Sequence, residues 1–178
     1  YLDLPEVDGV LVRNLESLEW LKEQHYQGKI ALDHNMYIWN REAYEVYGEA
    51  IDTYCAPLEL HRSELHRLPE EGKEVLIYGK IPMMISANCI RKTAGVCLCN
   101  ENGVSPVFIN KIESAHVLID RYQTAFPVVA NCIHCYNVVS NTVPLSLHQY
   151  CSQMQQNGIM RFRLDFTDEK VNEIDQII

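Results

Sequence analysis

Three features of the sequence predict an α/β fold built on a parallel sheet. Apolar runs at residues 7–12, 29–32, 51–57 and 74–78 recur at intervals of about twenty residues, the spacing of short strand–helix units. Helical patterns fill the intervals. A last unit of the same kind closes the chain, with residues 158–166 as strand and Val171, Ile174 and Ile178 as the apolar face of the helix after it. Strands that alternate with helices pair in parallel, either in an open doubly wound sheet or in a barrel. No glycine-rich phosphate loop follows any strand, which weighs against a nucleotide-binding open sheet. A complete (β/α)8 barrel takes about 250 residues. Only about five units are visible here, so a barrel in this chain is an incomplete, TIM-barrel-like one.

The elements follow in order. Asn14 is placed to cap a helix whose Leu15, Leu18 and Leu21 share a face, and Asn40 to cap a second over residues 41–49, with Tyr44 and Tyr47 on one side. After the third strand, Glu-Leu-His-Arg occurs twice in residues 59–67, an echo too short to be a structural repeat. His61 and His66, five apart, read as surface residues of one helix. Beyond Gly79 the rhythm breaks, and residues 81–100 are cysteine-bearing and irregular. Asn102-Gly103 is a turn signal. Residues 104–109, 116–119 and 126–130 read as short strands, with 120–124 as a hairpin tip, so a cysteine-bearing β-hairpin insertion is expected. Thr167 is the expected cap of the last helix, with Asp168 and Glu169 suited to its first turn. No low-complexity segment or linker appears, and residues 1–178 read as one domain or part of one. The start lacks both a methionine and a signal-peptide profile, and a helical pattern is still running at the end, so the chain reads as a piece of a larger protein.

Charge is uneven along the chain. Residues 1–74 hold 16 acids and 7 bases, whereas residues 75–178 hold 8 of each. Between residues 80 and 163 the bases Lys80, Arg91, Lys92, Lys111, Arg121, Arg161 and Arg163 exceed Glu101, Glu113 and Asp120. Such a local excess suits an anionic ligand or RNA phosphate, and equally a solvated surface. No stretch of eighteen apolar residues occurs, so no transmembrane helix is expected. Seven cysteines is an odd number in a chain of this length, unlike a secreted disulfide scaffold, and points to the cytoplasm.

Those cysteines are grouped. Cys89-x7-Cys97 and Cys132-x2-Cys135 bracket the predicted hairpin, while Cys55 lies in an apolar strand and Cys151 in a predicted helix. Four thiolates are the donor set of a tetrahedral zinc site or a four-iron cluster, and soft sulfur selects these over hard cations. A thioredoxin-like pair would need its first cysteine at a helix N-terminus, but Tyr136-Asn137-Val138-Val139 looks extended. A c-type haem site would need histidine at 136. His134 sits between two candidate ligands, where it can tune the site or face solvent. No HExxH or GxSxG signature appears. Asp120 and Arg121 can form a substrate clamp or a structural ion pair in the turn.

Residues 74–84, Glu-Val-Leu-Ile-Tyr-Gly-Lys-Ile-Pro-Met-Met, followed by Cys89, resemble the strand-and-loop hallmark of the peptidase U32 (collagenase-like) family. Leu118-Ile119-Asp120-Arg121, Phe126-Pro127-Val128, Cys132-x-x-Cys135-Tyr136-Asn137, Asn141-Thr142-Val143-Pro144-Leu145 and Arg163-Leu164-Asp165-Phe166-Thr167 are similar to its later motifs, in order. The resemblance implies the C-terminal part of a barrel-like catalytic domain, with the remainder of that barrel as a partner. It also implies a [4Fe–4S] iron–sulfur cluster on Cys89, Cys97, Cys132 and Cys135. The spacing of the first pair is longer than the family's compact signature, and Cys99 is an alternative to Cys97. The activity implied is oxygen-independent hydroxylation of a tRNA or rRNA base or of a quinone precursor. The alternatives are a collagenase-like peptidase, for which no nucleophile–base pair is recognisable, and a non-catalytic, metal-stabilised binding module. Lys80, Arg91, Lys92, Asp120 and Arg121 are the expected substrate contacts. Zinc is the alternative to the cluster. Four cysteines leave zinc no open position for water, so such a site would be structural.

Overall fold

In the computed structural model the described residues are 7–95, 97, 116–132, 134–167 and 169–178. In chain order they form β1 (Gly9–Val12), α1 (Leu15–Glu23), β2 (Lys29–Leu32), α2 (Arg41–Tyr47), β3 (Thr53–Cys55), β4 (Lys73–Gly79), β5 (Pro82–Ser86) and α3 (Ile90–Thr93). There follow β6 (His116–Ile119), β7 (Ala125–Asn131), β8 (Tyr136–Ser140), β9 (Leu145–Ser146), α4 (Cys151–Gln156), β10 (Arg161–Asp165) and α5 (Val171–Ile177). The protein is mixed α/β, with a parallel sheet and a separate antiparallel one. The chain divides into two compact units, one of residues 1–78 and 146–165, the other of residues 79–145 and 166–178.

The first unit carries the strand–helix rhythm. Its sheet runs β1-β2-β3-β4-β10, with β9 also paired to β4, and the β1–β2, β2–β3 and β3–β4 pairings are parallel. Asn14 accepts from Ser17 N–H at 2.7 Å and Asn40 from Ala43 N–H at 2.8 Å, so both predicted caps hold. Leu18 and Leu21 of α1 are buried with Val12, Ile30, Leu32, Tyr54, Val75 and Ile77 of the strands. Leu15, expected on the same face, is exposed. The second helix stops two residues early, at Gly48, whose φ of 51° ends α2 in the left-handed region. Residues 62–67 form a 3-10 helix, with His61 as its cap and Glu64 accepting from His61 N–H at 2.9 Å. His61 and His66 are both exposed, as expected.

Gly72 has φ +70°, and a Cβ there would collide with the carbonyl oxygen of Asp52. The approach allows Tyr54 N–H to bond Gly72 C=O at 3.0 Å, starting the β3–β4 pairing. Gly72→Ala is therefore expected to destabilise the fold by roughly 1–3 kcal/mol. Urea unfolding checks this, and an unchanged midpoint would contradict it.

The second unit is built on the antiparallel order β5-β8-β7-β6. The tip at 120–124 forms as predicted: Asp120 Oδ1 accepts from Tyr122 and Thr124 N–H at 2.8 and 2.9 Å. Two expectations are corrected. Residues 82–86 are a strand, not irregular; among the described residues β5 pairs only with β8, and four of its five residues are exposed, so no alternation marks it. Thr167 does not cap the last helix: its N–H donates to Glu169 at 2.6 Å, and α5 starts at Val171 after Lys170, whose N–H is accepted by Glu173 at 2.7 Å. The expected strand at 104–109, the Asn102-Gly103 turn, Lys111, Cys99 and Asp168 lie outside the described residues.

Candidate functional site

Two groups of side chains stand out, one in each unit. In the second unit, strand register gathers cysteines. Asn131 pairs with Tyr136, so Cys132 and Cys135 occupy the β7–β8 turn, and Cys135 takes φ 55° there. Asn131 Nδ2 donates to the Tyr136 hydroxyl at 3.0 Å, and its Oδ1 accepts from His134 N–H at 3.0 Å, fixing both sides of that turn. Ser86 pairs with Asn137, which brings the end of β5 to the start of β8. From there buried Asn137 holds the next loop, donating to Asn88 C=O at 2.6 Å and accepting from Ile90 N–H at 3.4 Å. Cys89 lies between those two anchors, buried, at the N-terminus of α3.

Arg91, the second residue of α3, donates from Nε to His116 Nε2 at 3.3 Å and from Nη1 to Cys132 Sγ at 3.6 Å. Cys89, Cys132 and Cys135 thus stand at one end of the antiparallel sheet. Cys97 is exposed beyond α3. Among the described residues, no three His, Cys, Asp or Glu side chains are grouped to hold a metal ion. The residue types are those of a thiolate-bound centre: three thiols lie at one end of the sheet, with a guanidinium beside one of them. His134 is exposed and lies nearly parallel to Tyr136, with ring centroids 6.4 Å apart.

The other expected contact residues are spread over this unit. Lys80 is half-buried, Lys92 is exposed, and Arg91 is turned to His116 and Cys132. Asp120 is engaged by the hairpin turn, while Arg121 lies over the Tyr122 ring at 4.7 Å.

The first unit holds a group that sequence reasoning did not find. Val12 pairs with Leu32 and Leu32 with Tyr54, so the next residues, Arg13, Asp33 and Cys55, form one row, and Cys55 pairs with Glu74. Arg163 of β10 joins them. Its Nη1 donates to Asp33 Oδ1 at 2.8 Å, and its Nε and Nη2 grip Asp165 at 2.6 and 3.0 Å. Asp33, only 2% exposed, also receives Arg13 Nε at 2.7 Å and both the N–H and the ring Nδ1 of His34 at 2.9 Å. Burial pushes the Asp33 carboxyl up, but the His34 contacts and the Arg163 guanidinium outweigh it and hold it well below the usual carboxylate range. Glu74 goes the other way, raised by burial against the pull of Arg163. Burial likewise pushes the Cys55 thiol up to about 12, which keeps it protonated near neutral pH. In parallel sheets, ligands gather at the carboxyl ends of strands, where Arg13, Asp33 and Asp165 lie.

The fold and these two groups define a mixed α/β protein with a charged row on its parallel sheet and cysteines gathered on its antiparallel sheet. No family model, curated protein or solved structure matches the chain. Among the described residues, no helix is long and apolar enough to cross a membrane.

Proposed function

We propose that the chain is a peptidase U32-like protein of TIM-barrel type whose Cys89, Cys97, Cys132 and Cys135 hold an iron–sulfur cluster, and that the protein supports oxygen-independent hydroxylation of an RNA base. One observation carries the reading: β5, β7 and β8 deliver Cys89, Cys132 and Cys135 to one end of a sheet, although more than forty residues separate Cys89 from the other two. When bound, such a cluster supplies one-electron redox chemistry. The chain's own residues do the rest. Asn137 fixes the loop that bears Cys89, and Asn131 fixes the turn that bears Cys132 and Cys135. Arg91 donates to the Cys132 sulfur and so ties the β7–β8 turn to α3. Lys80, Lys92 and Arg121 supply positive charge in the same unit for an RNA backbone.

The test is anaerobic purification of the full-length protein with absorbance, iron and sulfide analysis. A brown protein that bleaches in air, with iron and sulfide in equal amounts, is the expected result. Stoichiometric zinc without sulfide would replace the redox proposal with a structural site.

Asn137 offers a second check that does not need activity. Asn137→Leu leaves Ile90 N–H and Asn88 C=O without their buried partner, at an expected cost of roughly 1–3 kcal/mol. It should also speed release of the metal to a chelator. Release at the wild-type rate would mean that Asn137 does not position Cys89.

A further inference from the structure

We infer that the loop joining β2 to α2 is a stacking site for the planar ring of an unpaired nucleobase, with Tyr37 and Trp39 as the platform. The loop alternates inward and outward. Met36 and Ile38 are buried at 7% and 1% exposure, whereas Tyr37 and Trp39 are exposed at 51% and 45%. Single exposed apolar side chains are ordinary, but these two form a pair. Their rings lie within 5° of parallel, with centroids 6.4 Å apart. Tyr37 has φ +53°, a region that a bulky side chain seldom occupies. That conformation persists because the loop is pinned on both sides of it. Asp33 accepts from His34 N–H, Tyr37 N–H bonds His34 C=O at 3.2 Å, Asn35 Nδ2 donates to Arg13 C=O at 3.0 Å, and the Tyr47 hydroxyl donates to Met36 C=O at 3.2 Å. The platform is therefore fixed before any ligand arrives, which lowers the entropy lost on binding.

The occupant follows from the chemistry beside the rings. Every nucleobase has a π face, and stacking on aromatic side chains tolerates any sequence but requires an unpaired base. Arg13, tied to the loop through its carbonyl, commits Nε to Asp33 while its side chain stays 58% exposed, so a guanidinium stands by for phosphate. The loop begins at the carboxyl end of β2, the end at which parallel sheets collect ligands. The inference draws its RNA from the proposed function but needs no metal, and the two can fail separately.

The probe is a fluorescently labelled single-stranded oligouridylate, with binding to the full-length protein read by anisotropy. Trp39→Ser and Tyr37→Asn are each expected to weaken binding roughly five- to a hundredfold, the range for loss of one stacked base. Asparagine tolerates the left-handed conformation, so Tyr37→Asn should keep the fold, which circular dichroism checks. An abasic chain of equal length should bind no better than the Trp39→Ser variant binds the oligouridylate. Val46→Ser, an exposed position of α2 outside the loop, should leave the oligouridylate affinity unchanged. Equal binding of the abasic chain, or wild-type affinity in folded Trp39→Ser and Tyr37→Asn, would overturn the inference and leave the cluster proposal standing.

Discussion

Serine at Cys132 or Cys135 is expected to leave the purified protein with less than about a tenth of its metal, because a four-thiolate site that loses one soft ligand loses its preference for iron or zinc. The same result is expected for Cys89→Ser and Cys97→Ser. Cys55→Ser and Cys151→Ser should keep a full complement. Cys55 is buried beside Glu74 in the first unit with its thiol held protonated, and Cys151 starts α4 with its sulfur turned to Leu147 C=O at 3.9 Å. Metal analysis of all six variants after anaerobic purification decides the matter. Cys97 also meets a specific rival: if Cys99→Ser strips the metal and Cys97→Ser does not, the fourth ligand is Cys99. Full metal in both Cys132→Ser and Cys135→Ser would sink the site.

The second large effect is on stability. Arg163→Met removes the guanidinium that joins Asp33, Asp165 and, at 4.0 Å, Glu74, and leaves Asp33 buried with a charge. Arg13 and His34 still contact that carboxylate, so the expected cost is about 1.5–3 kcal/mol, the range for a lost hydrogen bond to a charged group, rather than that of a wholly unpaired buried charge. The Asp33→Asn/Arg163→Met double variant should recover part of that loss, since the buried charge goes too. Arg13→Met should matter far less, because its side chain is mostly exposed and water screens the charge. Urea unfolding near neutral pH measures all three, and wild-type stability in Arg163→Met would refute the role of the row. Acid supplies an independent reading. The Asp33 carboxyl has a lower pKa folded than unfolded, so its contribution is present above about pH 4 and is lost as pH falls towards its folded value. Glu74, raised on folding, opposes this in sign. Asp33→Asn should flatten the acid limb of the stability curve.

What the sequence revealed and what it hid divide along a physical line. Strands β1 to β4 were legible because each lies in an apolar run, and α1 and α2 because Asn14 and Asn40 announce their starts within three residues, whereas the two-residue β9 carries no such run. The 120–124 tip was legible because turn residues interrupt two apolar stretches. The grouping of Cys132 with Cys135 is local and was plain; the approach of Cys89 depends on β5–β8 pairing, which spacing alone can only suggest. The row of Arg13, Asp33, Cys55 and Glu74 was invisible because it is made by register, and no periodicity links positions on four strands. Its last member, Arg163, stands 130 residues from Asp33. The only available hint was an aspartate placed just after an apolar strand and followed by histidine and asparagine.

That separation bears on how the protein is made. A ribosome adds about 5–20 residues per second, so roughly 6–26 s pass between the emergence of Asp33 and that of Arg163. Until then the aspartate has Arg13 and His34 at hand, but not the cation from β10. The whole stretch from 79 to 145 is synthesised during the wait, and the chain re-enters the first unit where Leu147 N–H meets Ile77 C=O at 2.8 Å, close to its point of departure. The first unit is thus opened early and closed late, with the cysteine-bearing sheet delivered between. A nascent chain whose emerged part ends before residue 161 should hold its parallel strands loosely and yield to protease there, and emergence of the five residues of β10 should lock them.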